Sequence, residues 1–264
     1  MKLSIVIPAR NEAENIGNTV RGLTTHLDQV GITDLEIVVV NDGSRDETYA
    51  VVEKMGTEDP RIRVVTNTGR NGFGRAVAFG LGQFTGDAVV VVMADGSDAP
   101  EDVEKYYYIL RDEAECAFGS RFVRGSKLVD YPRFKYALNR IANMVLKTLF
   151  RLSLNDVTNA FKGYRRNVIE GCQPLVSPHF NLTIEIPLKA IVRGYSYKVV
   201  PISWHNRQYG VSALKLQEQG SRYLFTMLIV WFEWLLTRDD YRRQDSYRPF
   251  SKIAASPEST TEEK

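Results

Sequence analysis

Four apolar runs of strand length, each stopped by a polar turn, constrain this fold more than any other feature of the sequence. They are Leu3–Ile7, Leu35–Val40, Ile62–Val65 and Ala88–Val92. A strand with one wet face alternates apolar and polar residues. These runs are close to continuous, which predicts burial on both faces and hence a parallel sheet wrapped by helices. Stretches of helical spacing lie between them. Ile16, Val20, Leu23 and Leu27 mark one face of a helix expected over Glu12–Leu27 and capped by Asn11. A second is expected after Asp46 as its cap, with Tyr49, Val52 and Met55 inward, and a glycine-rich third over Gly72–Phe84. The first half therefore reads as doubly wound α/β with a mostly parallel sheet. Ligands of such sheets bind at the carboxyl ends of the strands, where the strand order reverses.

Three polar turns crowd that rim: IPARNEAENI after the first run, VVVNDGSRDET at the second and VVVVMADGSDAPED at the fourth. Turn chemistry alone accounts for any one of them, since Asp-Gly and Asn-Asp are ordinary turn formers. Three together, each directly after a buried strand, point to a ligand. The chain has no G-x-x-x-x-G-K-[ST] loop and no G-x-G-x-x-G after its first strand; Gly69, Gly72 and Gly74 follow the third run instead. Without a glycine cradle, a diphosphate needs another neutraliser. Asp95 and Asp98 repel phosphate by themselves, but carboxylates hold Mg²⁺ or Mn²⁺, which bridges to phosphate oxygens. The expectation is a nucleoside diphosphate held by a divalent cation on Asp95 and Asp98.

Composition narrows the class. The 264 residues suffice for one sizeable α/β domain or two small ones. A net charge of +2, from 34 basic and 32 acidic residues, gives no bulk reason to expect nucleic acid. Two cysteines, Cys116 and Cys172, are too few for a disulfide framework and suit a reducing compartment. The apolar run at the N-terminus is shorter than a signal-peptide core, so it reads as a first strand. Basic and aromatic residues crowd from Arg121 to Lys147, a short strand is expected over Tyr197–Ser203, and the polar tail 251–264 reads as disordered. Tyr223–Leu236, YLFTMLIVWFEWLL, stands apart. As a helix it is about 21 Å long, too short for the roughly 30 Å of bilayer hydrocarbon. It carries Glu233, and Arg238, Arg242, Arg243 and Arg248 follow it. A basic flank after an aromatic-rich helix favours docking at an anionic lipid surface; a core or oligomer-interface helix is the alternative.

VIPARNEAENI, VVNDGSRDET and VVMADGSDAPED resemble, in order and spacing, the family 2 glycosyltransferases of GT-A fold. GSRF, NDVTNAFKGYRR, FNLTIEIPLKAIVRGY and VVPISWHNRQYGVSALKL are similar to the group that makes dolichol-phosphate mannose, moving a sugar from a nucleotide to a polyprenyl phosphate. The resemblance implies a GT-A catalytic domain over 1–220; beyond it the residues themselves read as an apolar, membrane-interface or oligomer-interface helix with a basic flank over 221–250 and a disordered tail over 251–264. It puts the nucleotide sugar against Pro8, Arg10, Glu12, Asp42, Ala94 and Asp95, with Arg207, Ser212 and Lys215 on a loop closing over the diphosphate. It places Glu185 near the sugar and metal, and Arg121 and Lys135 on the acceptor phosphate. Where the family carries Asp-Ala-Asp and then Gln, this chain has Met93, Asp95 and Ser97, so Asp98 is the candidate second ligand. Glu185 also stands between isoleucines, and a buried glutamate there is costly without a partner.

The mechanism implied is inverting. A phosphate monoester, with a second pKa near ~6, is already anionic at neutral pH and needs no general base. GDP-mannose is the first expectation for the donor, with UDP-glucose or UDP-N-acetylglucosamine, and a sugar hydroxyl as acceptor, as alternatives. A nucleotidyltransferase is a further rival, and its glycine- and arginine-rich loop is not matched by ARNEAEN. A non-catalytic nucleotide-sugar-binding subunit is the rival of a different class. The expected place is peripheral, on the cytoplasmic face of a membrane, with a homo-oligomer or an anchoring partner left open.

Overall fold

The computed structural model describes residues 1–129, 131–205, 216–236 and 240. The elements run β1 (Leu3–Ala9), α1 (Ala13–Gln29), β2 (Leu35–Asn41), α2 (Thr48–Glu58), β3 (Ile62–Thr66), α3 (Phe73–Leu81), β4 (Ala88–Val91), α4 (Pro100–Asp112) and β5 (Cys116–Ser120). They continue with β6 (Lys127–Val129), α5 (Arg133–Phe150), β7 (Lys162–Arg165), α6 (Arg166–Gly171), α7 (Leu182–Val192), β8 (Tyr197–Pro201), β9 (Ser203–His205) and α8 (Leu216–Leu236). The four expected strands all form, each within two residues of the expected ends.

Seven strands make one sheet in the order β3-β2-β1-β4-β7-β5-β8. Only β7 runs against the rest, antiparallel to both β4 and β5. The order reverses between β1 and β4, so the crevice for a ligand opens where β1 and β4 end side by side. Because β7 is reversed, its first residue, Lys162, starts on the same rim where its neighbours finish. Both sheet faces are covered, as the continuous apolar runs require. Ile5, Ile7, Ile37, Val39 and Val90 pack with α1, α2 and α4; Val6, Val38, Val40, Val89 and Val91 pack with α3, α5, α6 and α7. Gly80 lets α3 lie close: a Cβ there would come within 2.5 Å of Val6 and 2.8 Å of Val40.

Two expected caps are built differently. Asn11 adopts a left-handed φ of 55° and its side chain accepts from Arg45 N at 2.8 Å, so it joins two loops and does not cap α1. Asp46 accepts from Thr48 N, at the start of α2, and from Ala13 N, at the start of α1. One carboxylate therefore serves both helix starts, and the first two rim turns are fixed to each other.

The C-terminal helix also differs. α8 begins at Leu216, before the apolar stretch, but the added residues LQEQGSR are mostly polar and the apolar stretch stays as short as expected. No helix among the described residues is long and apolar enough to cross a membrane. Tyr223, Met227, Val230, Trp231 and Trp234 pack onto the core, and Glu233, the charge inside the run, pairs with Arg193 at 2.7 Å. Leu224, Phe225, Leu228, Phe232, Leu235 and Leu236 are exposed. The helix is thus a core element on one side and a bare apolar surface on the other. α5 repeats the pattern: Phe134, Ile141, Met144 and Val145 are exposed beside exposed Arg133, Arg140 and Lys147. Arg238, Arg242, Arg243, Arg248 and the tail 251–264 lie outside the described residues.

Candidate active site at the sheet rim

The turn after β4 is held from three directions. Met93 N donates to Asp98 Oδ2 at 2.9 Å, Ser97 N to Asp95 Oδ1 at 3.2 Å, and the Thr19 hydroxyl of α1 to Ala94 O at 2.9 Å. Gly96 takes a left-handed φ of 70°, which an L side chain resists. Asp98 also forms a β-bridge with Trp204. Met93, standing where an aspartate was expected, therefore takes part through its backbone N–H.

The two carboxylates differ in environment. Asp95 is half-buried, whereas Asp98 is only 5% exposed. Burial pushes the Asp98 carboxyl up to about 7, with the Asp95 charge adding to the rise and the Met93 hydrogen bond opposing it. Among the described residues its second oxygen accepts no hydrogen bond. A buried, half-satisfied carboxyl facing a second acid suits a cation, which replaces the missing donor and relieves the repulsion. Among the described residues no group of three or more His, Cys, Asp or Glu that could hold a metal ion occurs, so the candidate set is the pair Asp95 and Asp98. That number suits Mg²⁺ or Mn²⁺, since Mg²⁺ in particular keeps waters and takes one or two carboxylates plus substrate phosphates. The residues present fit such an ion.

The expected nucleotide-side residues gather at the neighbouring strand ends. Pro8 is buried within β1, Arg10 is exposed just beyond it, and Glu12 is half-buried with Oε2 accepting from Asn15 at 2.8 Å. Asp42, directly after β2, accepts from Asn67 Nδ2 and from Gly72 N, both at 2.8 Å. It pins the loop between β3 and α3 and keeps spare lone pairs at the rim.

Two of the expected residues have partners inside the protein. Glu185 is fully buried, but Val176 N, Ser177 N and Lys189 Nζ donate to it at 2.9, 2.8 and 2.8 Å. Its burial is thus explained by an internal ion pair and a loop anchor, and the cost argument for a functional role falls. Arg121 is also already partnered. Its Nε and Nη2 reach the two oxygens of the fully buried Asp156 at 2.8 and 2.7 Å, and its backbone N–H joins them at 2.9 Å. Nη1 is left for the Tyr131 hydroxyl at 3.2 Å. Asp156 holds the guanidinium firmly charged despite its burial. α5 closes this cluster, because Asn143 accepts from Val157 N at 2.6 Å and donates to Thr158 at 2.9 Å, and Arg140 lies 4.9 Å from the Phe122 ring. Asp156, Asn143 and Tyr131 went unmarked in the sequence reading, although Asp156 stands in the NDVTNAFKGYRR segment quoted above. Lys135 is in the first turn of α5, with its side chain outside the described residues, and Arg207, Ser212 and Lys215 lie outside them altogether.

The described geometry thus puts a carboxylate turn and a clamped arginine on one rim, beside bare apolar helix faces. Against known proteins, the family described as glycosyl transferase family 2 matches residues 4–172. A polyprenol monophosphomannose synthase of Mycolicibacterium smegmatis is 33% identical over 216 residues, 80% of each chain. A dolichol-phosphate mannosyltransferase of Pyrococcus furiosus is 29% identical over 81% of this chain and 60% of its own length. An undecaprenyl-phosphate mannosyltransferase of Micrococcus luteus is 26% identical over 81% of this chain and 88% of its own. Among solved structures, glucosyl-3-phosphoglycerate synthase of Mycobacterium tuberculosis, crystallised with Mn²⁺, UDP and phosphoglyceric acid, aligns with a TM-score of 0.66 over 87% of this chain and 78% of its own. At 20% identity this likeness bears on the fold.

Proposed function

Since this chain belongs to glycosyl transferase family 2, and is a glycosyltransferase, we propose that it moves mannose from GDP-mannose to a polyprenyl phosphate at a membrane surface. The names of the three mannosyltransferase relatives support the acceptor and the sugar. The observation that carries the reading is the pairing, on one rim, of the Asp95–Asp98 turn with the Arg121–Asp156 cluster, the second backed by α5 with its apolar and basic outer face.

In this reading Asp95 and Asp98 hold a divalent cation, which when bound neutralises the charge developing on the departing diphosphate. Pro8, Arg10, Glu12, Asp42 and Ala94 line the nucleoside side, and Arg207, Ser212 and Lys215 belong to the diphosphate side. The acceptor arrives already anionic, so the chain has no proton to remove. Its work is to bring two repelling anions into line. Arg121, its charge fixed by Asp156, and Lys135 serve the acceptor phosphate. Glu185 serves by holding residues 176–177 in place. The bare faces of α5 and α8, with Arg133, Arg140 and Lys147 beside them, rest on anionic lipid, where the acceptor's hydrocarbon tail resides.

Incubation with labelled GDP-mannose, UDP-glucose or UDP-N-acetylglucosamine, polyprenyl phosphate and Mn²⁺ tests the reading. Mannose label passing into organic solvent, and lost with a chelator, supports it. Label that remains aqueous, or follows a UDP-sugar, refutes the donor and acceptor named here.

A further inference from the structure

Lys162 is the most deeply buried lysine described, 1% exposed at the first position of β7. Burying an ammonium is costly unless its protons are all placed. Here Nζ donates to three backbone carbonyls: Val157 O at 2.8 Å, Asn159 O, and Thr183 O at 3.3 Å. Among the described residues it makes no ion pair. Two of these carbonyls belong to the segment 156–159, and the third opens α7. That segment carries Asp156, whose oxygens take three donors from Arg121. Asn143 holds the same segment from α5 by accepting from Val157 N and Thr158 N. The arch over Lys162 is thus supported from below by an ammonium and from the side by an amide, and its product is the fixed direction of one guanidinium.

An apolar residue would fill this space at lower cost, yet it would leave two carbonyls of the arch without donors. Burial also draws the Lys162 pKa down to about 7, with Asp156 opposing the fall and Arg121 adding to it, so the three groups lie within electrostatic reach of one another.

We propose that Lys162 is a positioning residue for the acceptor phosphate, acting through the 156–159 arch on Arg121 without touching substrate. This rests on the reading of Arg121 as an acceptor-side cation. It goes beyond that reading by naming the buried group that sets the arginine's aim.

The test uses the full chain, with Lys162→Met and Lys162→Gln made alone and in an Arg121→Ala background. KM for polyprenyl phosphate and for GDP-mannose is read from organic-extractable label, and each variant is melted. The expected result for Lys162→Met is an acceptor KM raised at least tenfold, with the donor KM within twofold. In the Arg121→Ala background the same substitution should add less than twofold, because its route of action is already gone. Equal rises in both KM values, no rise, or an undiminished effect without Arg121 would overturn the proposal. Lys162→Gln keeps two N–H donors and serves if the methionine variant does not fold; if neither folds, Lys162 is a folding residue and the proposal falls. A wild-type chain that labels no lipid removes the acceptor reading first, and this inference with it. A wild type that labels lipid, with indifferent variants, removes this inference alone.

Discussion

Replacing Asp156 with asparagine isolates the interaction on which the acceptor side of the site depends. The side chain keeps its size, but the charge goes and one oxygen becomes an NH₂ group. That group can only face a guanidinium donor, because Arg121 reaches both oxygens. Arg121 is 7% exposed and cannot turn to water for relief. Removing one partner of a buried pair costs about 3–5 kcal/mol, more than the pair's net worth, because the other charge is stranded. With an unfolding entropy of about 2.1 cal/mol/K per residue, 264 residues give about 0.55 kcal/mol/K, so the melting temperature should fall by about 5–9 °C. Thermal melts followed by circular dichroism, with urea titrations beside them, measure both quantities. Replacing both residues with apolar ones, Arg121→Met with Asp156→Leu, should cost less than the single change, since neither charge of the pair is left buried without the other. A single variant melting within 2 °C of wild type, or a double variant worse than the single, would refute the description of this pair.

Further consequences follow from other parts of the molecule. Asp95→Ala should lower transfer about 100-fold or more while leaving the melting point near wild type, because the side chain is half-buried and stands on a turn outside the packed core; transfer within tenfold of wild type would contradict a cation there. Asp98→Asn should remove the rise in melting temperature that Mn²⁺ gives the wild type, since a ligand bound only by the folded form raises it. Stability should also depend on pH through Lys162. Its folded pKa of about 7 lies below the unfolded 10.5, so the unfolded chain binds more protons between these values and this group's contribution to stability rises with pH across that window. Urea melts at pH 7, 8 and 9 should show wild type gaining stability relative to Lys162→Met as pH rises; a difference that stays flat would refute the buried, depressed titration. Phe232→Glu, on the bare face of α8, should abolish flotation with anionic vesicles at little cost to the fold; unchanged flotation would sink the lipid-docking role of that face.

Local chemistry wrote much of this protein in plain sight. The run Ala88–Val92 is apolar at every second and every intervening position, and only a strand dry on both faces tolerates that, so the layered sheet was fixed by period and polarity alone. The polar turns at Asp42 and Asp95 were legible for the same reason, because they interrupt those runs abruptly. Motif order then carried the family. What the sequence could not supply was partnership across distance. Nothing near Glu185 marks Lys189 and the 176–177 amides as a complete set of donors, since the helix must form and the loop must fold back first. Asp156 and Arg121 are far apart in the chain and meet only because β7 runs against its neighbours and brings their loops to one rim. The apolar stretch of α8 has no period that separates core from surface; packing against α7 chose which side chains are covered. Side-chain identity determines which groups need a partner, and the tertiary structure decides which partner they get, because burial and alignment are properties of the folded whole.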